Sequence, residues 1–363
     1  MATLAPDELA SRIRRDTERN LLRVRNGLRH LAGVGAPTLN RTPRDTVWSS
    51  EKLELWRYHS SNRRFATPLL FVHSLVSRSY VFDLVPGNSV VETMRDRGFD
   101  VFLIDWGVPD ELEAGNTLET YTDEYLPEIV DTIAKLTGQP EVLMFGYCFG
   151  GVLSLLSVAG NPDMPVRALA VQAVPVDYRH MGPMTTMMQE GRVEPADMLD
   201  ATGNVPADVM RNSFRVLKPT GDLTGYVNLW QHLWDDDYVA AHQTMTQWAN
   251  DHIPFPGGAF RQTGELFARR NLLATGQVPL GGRTVDLADI TVPFLNIVGE
   301  KDHIVPPPAT GDLTTLVGSG DVEELRLPAG HVGLVVGRTA QKRYLPAMAN
   351  WLERHADPIE GAT

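Results

Sequence analysis

Two rhythms of apolar and polar residues run through this chain. Short apolar runs read as strands at Leu53 to Tyr58, Pro68 to Val72, Val101 to Ile104, Glu141 to Phe145, Ala168 to Ala173, Phe294 to Val298 and Glu323 to Leu327. The four from Pro68–Val72 to Ala168–Ala173 are continuous rather than alternating, which is what a parallel sheet covered on both faces requires. Helical patterns fall between them, around Val90 to Arg97, Leu118 to Leu136, Gly151 to Ala159 and, at the end, Ala340 to His355. Strand and helix in alternation predict an α/β fold with a mostly parallel central sheet and helices on both faces.

Two segments depart from that alternation. Ahead of it, Leu9, Ile13, Leu21, Val24, Leu28 and Leu31 recur at roughly helical spacing with arginines between them, so residues 1–47 read as an amphipathic arm. Within it, residues 178–280 carry Met181, Met184, Met187, Met188, Met198 and Met210 with Trp230, Trp234 and Trp248, and few strand signals. That stretch reads as an inserted helical cap, or lid, between core segments 48–177 and 281–363. Its Met and Trp content suits either the packing of small helices or a flexible apolar cover over a greasy channel. The arm suits either a helix laid on the body of the protein or a docking element for a partner or an amphiphilic surface.

The chain has 363 residues, 43% of them hydrophobic and 21% charged, with a formal charge of -12. Nine arginines and five acids make residues 1–47 +4, so the remainder carries -16. That balance argues against a nucleic-acid-binding role. The N-terminus lacks a basic region followed by a long apolar stretch, and no segment offers 18 uninterrupted apolar residues, so neither export nor membrane spanning is expected. One cysteine, Cys148, excludes an intrachain disulfide.

That cysteine has a particular setting. Gly146-Tyr147-Cys148-Phe149-Gly150-Gly151 follows the apolar run Val142 to Phe145 and precedes the helical run Val152 to Leu156. Strand, G-x-nucleophile-x-G turn and helix in that order make a nucleophile elbow, which lifts the nucleophile above the sheet at a helix N-terminus. The helix start favours a thiolate, and the Phe149 N–H is available to hold an oxyanion. The elbow's partners follow in the order nucleophile, acid, histidine. Asp302, after the strand Phe294 to Val298, is the candidate acid, and His331, in Pro328-Ala329-Gly330-His331-Val332-Gly333, is the candidate base. His303 competes for the base but adjoins the acid along the chain, and the other eight histidines have no comparable context. The second oxyanion donor belongs in the loop after the first inner strand, where Val76 N–H is the candidate and spacing allows any of residues 73–78.

These residues together resemble the polyhydroxyalkanoate synthases, a cysteine-dependent branch of the α/β-hydrolase fold, and more closely the short synthases that work with a separate non-catalytic subunit. The resemblance covers most of the chain from about Thr42. It rests on Thr42-Pro43, the strand from Lys52-Leu53 to Arg57-Tyr58, Leu75-Val76-Ser77-Arg78, Leu103-Ile104-Asp105-Trp106-Gly107, the elbow Gly146 to Gly151, Pro175-Val176-Asp177, Phe260-Arg261-Gln262, Glu300 to Pro307 and Gly330-His331-Val332-Gly333. The Ile-Asp-Trp-Gly and Lys-Asp-His-Ile-Val-Pro-Pro stretches are its specific parts. The chain departs from the family where Ser77 and Ser79 stand for an expected Asn and Pro, and where Phe149 follows the cysteine in place of Gln or Val.

The resemblance implies an acyltransferase that polymerises (R)-3-hydroxyacyl-coenzyme A, such as the 3-hydroxybutyryl ester, into polyester and releases coenzyme A. It implies that Cys148 carries the acyl chain, that His331 activates the thiol, that Asp302 assists, and that Val76 and Phe149 donate to the oxyanion. Coenzyme A is then a leaving group, and neither cofactor nor metal is called for. It further implies a cytoplasmic protein at polyester granules, a homodimer or hetero-oligomer, and a required second subunit of the PhaE or PhaR kind, because the long N-terminal domain of the self-sufficient synthases is missing. On the same fold and residues, a cysteine-dependent thioesterase or an intracellular depolymerase is the alternative; a catalytically idle granule protein fits a complete triad poorly.

Overall fold

The computed structural model describes residues 6–31, 39, 42–217, 227 and 229–361. Parts of the arm (1–5, 32–38, 40–41) and of the insertion (218–226, 228) lie outside the described residues. Two compact units emerge, one of residues 1–39 with 218–250 and one of residues 40–217 with 251–363.

The larger unit is built on an eight-stranded sheet. Its strands are β1 (Asp45–Ser50), β2 (Leu53–Tyr58), β3 (Leu69–Val72), β4 (Val101–Asp105), β5 (Val142–Tyr147), β6 (Val166–Gln172), β7 (Phe294–Gly299) and β8 (Val322–Leu327). They lie in the order β1-β2-β4-β3-β5-β6-β7-β8. The pairings β1–β2 and β2–β4 are antiparallel; all the others are parallel. Each of the seven apolar runs is a strand, and β3, β4 and β5 are buried at every position. β1 was not legible as a strand: Asp45-Thr46-Val47-Trp48-Ser49-Ser50 lies half open at the sheet edge and needs no apolar run. The expected end of the arm at residue 47 therefore falls inside a strand.

Helices cover the sheet. α1 (Pro6–Leu31) belongs to the smaller unit; α2 (Val90–Asp96), α3 (Leu126–Thr137) and α4 (Phe149–Gly160) belong to the larger, and α4 is buried over nearly its whole length. The pattern at 118–136 becomes a π-turn over Thr120–Tyr125 followed by α3, whose second residue is Pro127. The C-terminal pattern divides in the same way, with a π-turn over Ala340–Tyr344 ahead of Pro346. A proline lacks the N–H that would continue the α ladder and its ring crowds the carbonyl one turn earlier, so the preceding turn widens.

The insertion does not stand apart as a unit. Its outer parts, with α5 (Pro183–Gln189), α6 (Ala207–Val216) and the segment from Asp251 onward, pack into the core of the sheet unit through Met188, Val205, Met210, Phe255 and Phe260. Its middle, α7 (Asp236–Asn250), groups instead with α1. There Arg25 Nη2 reaches both carboxylate oxygens of Asp236 at 2.6 Å, and Asn26 donates to the Leu233 carbonyl at 2.7 Å. Arg19 lies 4.4 Å above the Trp234 ring. The arm's arginines are thus partly committed to contacts made after folding, which helical periodicity alone cannot reveal.

Three glycines let α4 settle onto the sheet. A Cβ on Gly150 would sit 2.3 Å from the Val72 carbonyl oxygen, one on Gly146 2.6 Å from Gly151 Cα, and one on Gly151 2.2 Å from the Val174 side chain. The first two contacts are with backbone that cannot swing aside. Gly150→Ala is therefore expected to lower stability by about 2–3 kcal/mol or more through overpacking, measured as a lower denaturant midpoint; an unchanged midpoint would show that the elbow has slack.

Candidate active site

Cys148 links β5 to α4 at φ 56 and ψ −124, a backbone conformation that a non-glycine residue adopts only at a cost of roughly 1–3 kcal/mol. Its N–H donates to the Gln172 carbonyl at 2.9 Å, and its own carbonyl accepts the Gly151 N–H at 3.0 Å. The positive φ is thus borne by the cysteine itself, while the flanking glycines supply closeness. Phe149 is the first residue of α4, so its N–H has no partner within the helix.

Asp302 and His331 come from the loops after β7 and β8. Asp302 Oδ1 accepts the N–H groups of Ile304 and Val305 at 2.8 and 2.9 Å, which fixes the carboxylate in its turn. Its other oxygen, Oδ2, accepts from His331 Nδ1 at 2.7 Å. That bond puts a proton on Nδ1 and leaves Nε2 as the nitrogen that can serve Cys148. The imidazole bonded to Asp302 is His331, and not the adjacent His303. Tyr147, next to the cysteine, donates its hydroxyl to the His331 carbonyl at 3.2 Å, tying the base's loop to the elbow.

Both side chains are almost wholly enclosed. Burial opposes charge on the imidazole, but the Asp302 carboxylate, negative charge on the Cys148 sulfur and hydrogen bonds to both outweigh it and hold the His331 pKa up to about 10. The arrangement stabilises an imidazolium.

The loop after β3 is also buried: His73, Ser74, Leu75, Val76, Ser77 and Ser79 are each at most 8% exposed. Ser79 donates to Asp105 Oδ2 at 2.8 Å, Trp106 Nε1 donates to the His73 carbonyl at 2.8 Å, and Asp105 Oδ1 accepts the Gly107 N–H at 2.8 Å. The Asp105-Trp106-Gly107 stretch therefore acts as a bracket under this loop. The returning end of the insertion pins its outer side, through a Tyr80 hydroxyl to Asp251 bond of 2.8 Å and a bridge from Ser77 to His252. Phe255 then packs edge-on against Phe149, ring centres 5.3 Å apart. Leu75 also walls a small cleft shared with Trp106, Tyr121, Tyr125, Ile253 and Pro256; the thiol is not among its lining residues. His73, which spacing gave no reason to single out, stacks beside Tyr147 in the layer beneath the cysteine. Among the described residues no group of three or more His, Cys, Asp or Glu side chains could hold a metal ion, and no helix is long and apolar enough to cross a membrane.

A candidate nucleophile in a strained turn above a mostly parallel sheet, with its candidate acid and base on later loops, fits one class, and a family model described as alpha/beta hydrolase fold matches residues 67–337. Solved structures agree on the fold: a hydrolase from Pseudomonas aeruginosa (TM-score 0.51, 16% identity, 87% of this chain and 99% of that one) and a putative non-heme bromoperoxidase from Mycobacterium tuberculosis (0.52, 15%, 85% and 97%). Sequence relatives are narrower. The poly(3-hydroxyalkanoate) polymerase subunit PhaC of Allochromatium vinosum is 37% identical over 90% of this chain and 92% of its own length. That of Thiocystis violacea is 33% identical over 97% and 99%. The PhaC of Haloferax mediterranei is 33% identical over 89% of this chain, which spans 66% of that longer relative. The chain belongs to the PhaC family of poly(3-hydroxyalkanoate) polymerases.

The dyad makes a titration prediction. Nitrogen NMR should show the His331 ring protonated up to about pH 10, and Asp302→Asn should bring its titration down towards the ordinary value near 6.5. A pKa raised on folding contributes stability that is complete below about pH 6.5 and lost as pH climbs towards the raised value. The stability gap between wild type and Asp302→Asn should therefore narrow across that window; a gap that widens there would contradict the pairing.

Proposed function

We propose that the protein is a polyhydroxyalkanoate synthase that polymerises (R)-3-hydroxyacyl-coenzyme A, the 3-hydroxybutyryl ester foremost, and releases coenzyme A. The observation that carries this reading is a thiol at the nucleophile elbow, served by the 2.7 Å His331–Asp302 pair, in a chain of the PhaC family.

In this reading His331, held as the imidazolium, has already taken the Cys148 proton on Nε2, and the thiolate attacks the substrate's thioester carbonyl. The tetrahedral oxyanion lies between the N–H groups of Val76 and Phe149, donors already in place before charge develops. Collapse expels the coenzyme A thiolate, which takes the proton back from His331, and the acyl group remains on Cys148. One thioester has replaced another at little cost in free energy. Next, His331, oriented by Asp302, removes the proton from the hydroxyl of an incoming hydroxyacyl-coenzyme A. Its oxygen attacks the Cys148 thioester, an ester bond forms, and the sulfur leaves and is reprotonated. The lengthened chain, now on coenzyme A, returns to Cys148 by the first exchange. With one cysteine per chain, this cycle elongates through a single nucleophile.

Water competes with the hydroxyl at every round, and the burial of His331, Asp302 and the oxyanion loop favours transfer over hydrolysis. No cofactor or metal enters these steps. The relatives' designation as polymerase subunits supports a second, non-catalytic subunit of the PhaE or PhaR kind, within a homodimer or hetero-oligomer. A cytoplasmic location at the polyester granule surface fits a product that is an insoluble chain.

The protein is to be incubated with 3-hydroxybutyryl-coenzyme A, with and without a candidate second subunit, while free thiol and insoluble polymer are followed. Both should accumulate, and Cys148→Ala should abolish both, a loss beyond about 10³-fold. Thiol release without polymer in every combination would make the protein a thioesterase.

A further inference from the structure

The histidine in the oxyanion loop has a chemical state that its contacts dictate. His73 Nε2 lies 3.0 Å from the carbonyl oxygen of Ser77, four residues on, and 3.1 Å from the Ser77 hydroxyl. A carbonyl oxygen only accepts, so Nε2 carries the proton and donates. Nδ1 is then bare, and it is buried without a hydrogen-bond partner. The ring is 1% exposed, stacked nearly parallel to Tyr147 at 6.4 Å and edge-on to Phe82 at 5.4 Å. Burial above all, with the nearby His331 adding to it, lowers its pKa to about 3, so no second cation forms beside the catalytic imidazole at working pH. The bond from the ring closes a turn over residues 73–77, and Val76 is the residue just before the carbonyl that the ring holds. The His73 carbonyl is held in its turn by Trp106. Both ends of the turn are anchored, and the peptide between them carries the amide assigned to the oxyanion.

We propose that His73 is a positioning residue for the acyl-transfer reaction: its neutral Nε2–H, bonded to the Ser77 carbonyl, sets the orientation of the Val76 amide that receives the oxyanion. This rests on the acyl-transfer reading of the site, and it gives Ser77 a role through its backbone carbonyl, with the hydroxyl a second acceptor for the same proton. An oxyanion donor acts through fixed aim, and a misplacement of the order of 1 Å can cost about a hundredfold. The ring itself touches no reacting atom.

Two chemistries at Cys148 separate positioning from general damage. Acyl transfer passes through a tetrahedral oxyanion; alkylation by iodoacetamide is a displacement at carbon that forms none. His73→Phe keeps an aromatic ring beside Tyr147 and Phe82 but removes the donor. It should slow single-turnover release of coenzyme A from 3-hydroxybutyryl-coenzyme A, and the burst of nitrophenol from p-nitrophenyl acetate, by about 10- to 100-fold. Its alkylation rate should stay within about twofold of wild type, since His331 and the thiol are untouched. His73→Gln, whose amide N–H reaches about as far as Nε2–H, should recover most of the acylation rate. If alkylation falls in step with acylation, the ring supports the whole site, and if neither falls, the clamp is idle; either result overturns the proposal. Because the nitrophenyl ester needs no coenzyme A, a wild type that bursts with it but ignores the coenzyme A ester would sink the synthase reading while still testing His73. A wild type that acylates with neither would overturn both.

Discussion

The contact on which the site depends is the close seat of α4 against the end of β3. Gly150 lies so near the Val72 and His73 carbonyls that no side chain fits between them, and Gly146 on β5 and Gly151 on α4 let the helix lie equally close to its own strand and to Val174. This closeness puts the helix N-terminus, with the Phe149 amide, beside the loop after β3 that holds Val76, the two amides proposed to serve one oxyanion. Cys148 at the same turn takes φ 56, a conformation held by its backbone hydrogen bonds with Gln172 and Gly151. Strain at the nucleophile and closeness at the glycines meet in one turn.

Around that seat the polar groups are arranged in two tiers. The upper tier is Cys148, His331 and Asp302, in which a buried carboxylate and the sulfur hold a proton on the imidazole. The lower tier is His73, Tyr147 and Trp106, each of which spends a hydrogen bond on a backbone carbonyl of an active loop: Ser77, His331 and His73 respectively. Burial opposes charge on both imidazoles; His331 is charged in spite of it because it faces anions, and His73, which faces none, stays neutral. A thiol suits this setting, since it passes an acyl group between sulfurs at little cost and keeps the acyl group reactive towards a hydroxyl.

Much of this was legible in the chain. Seven strands were marked in the sequence, and those buried at every position show no polar alternation along their length. Cys148, Asp302 and His331 could be named from the elbow and from chain order, and the structure brings Asp302 and His331 into contact. What escaped was of another kind. β1 hides because it lies half open at the sheet edge and carries no apolar run, and the π-turns ahead of Pro127 and Pro346 hide because a proline changes the turn before it rather than the pattern through it. The insertion looked like one cap, yet its ends belong to the sheet unit and its middle groups with the arm, since Met and Trp content reports burial without naming the partner.

The sequence by itself determined the fold class and marked out the candidate nucleophile and the order of its candidate partners, because each depends on local chemistry: periodicity, glycines flanking a thiol, a histidine between glycines. Only the tertiary structure decided which carboxylate oxygen faces the base, which histidine is charged, and that His73 belongs to the site at all. Those outcomes depend on distances between segments remote in the chain and on the exclusion of water around them. Neither is written in the neighbours of any single residue.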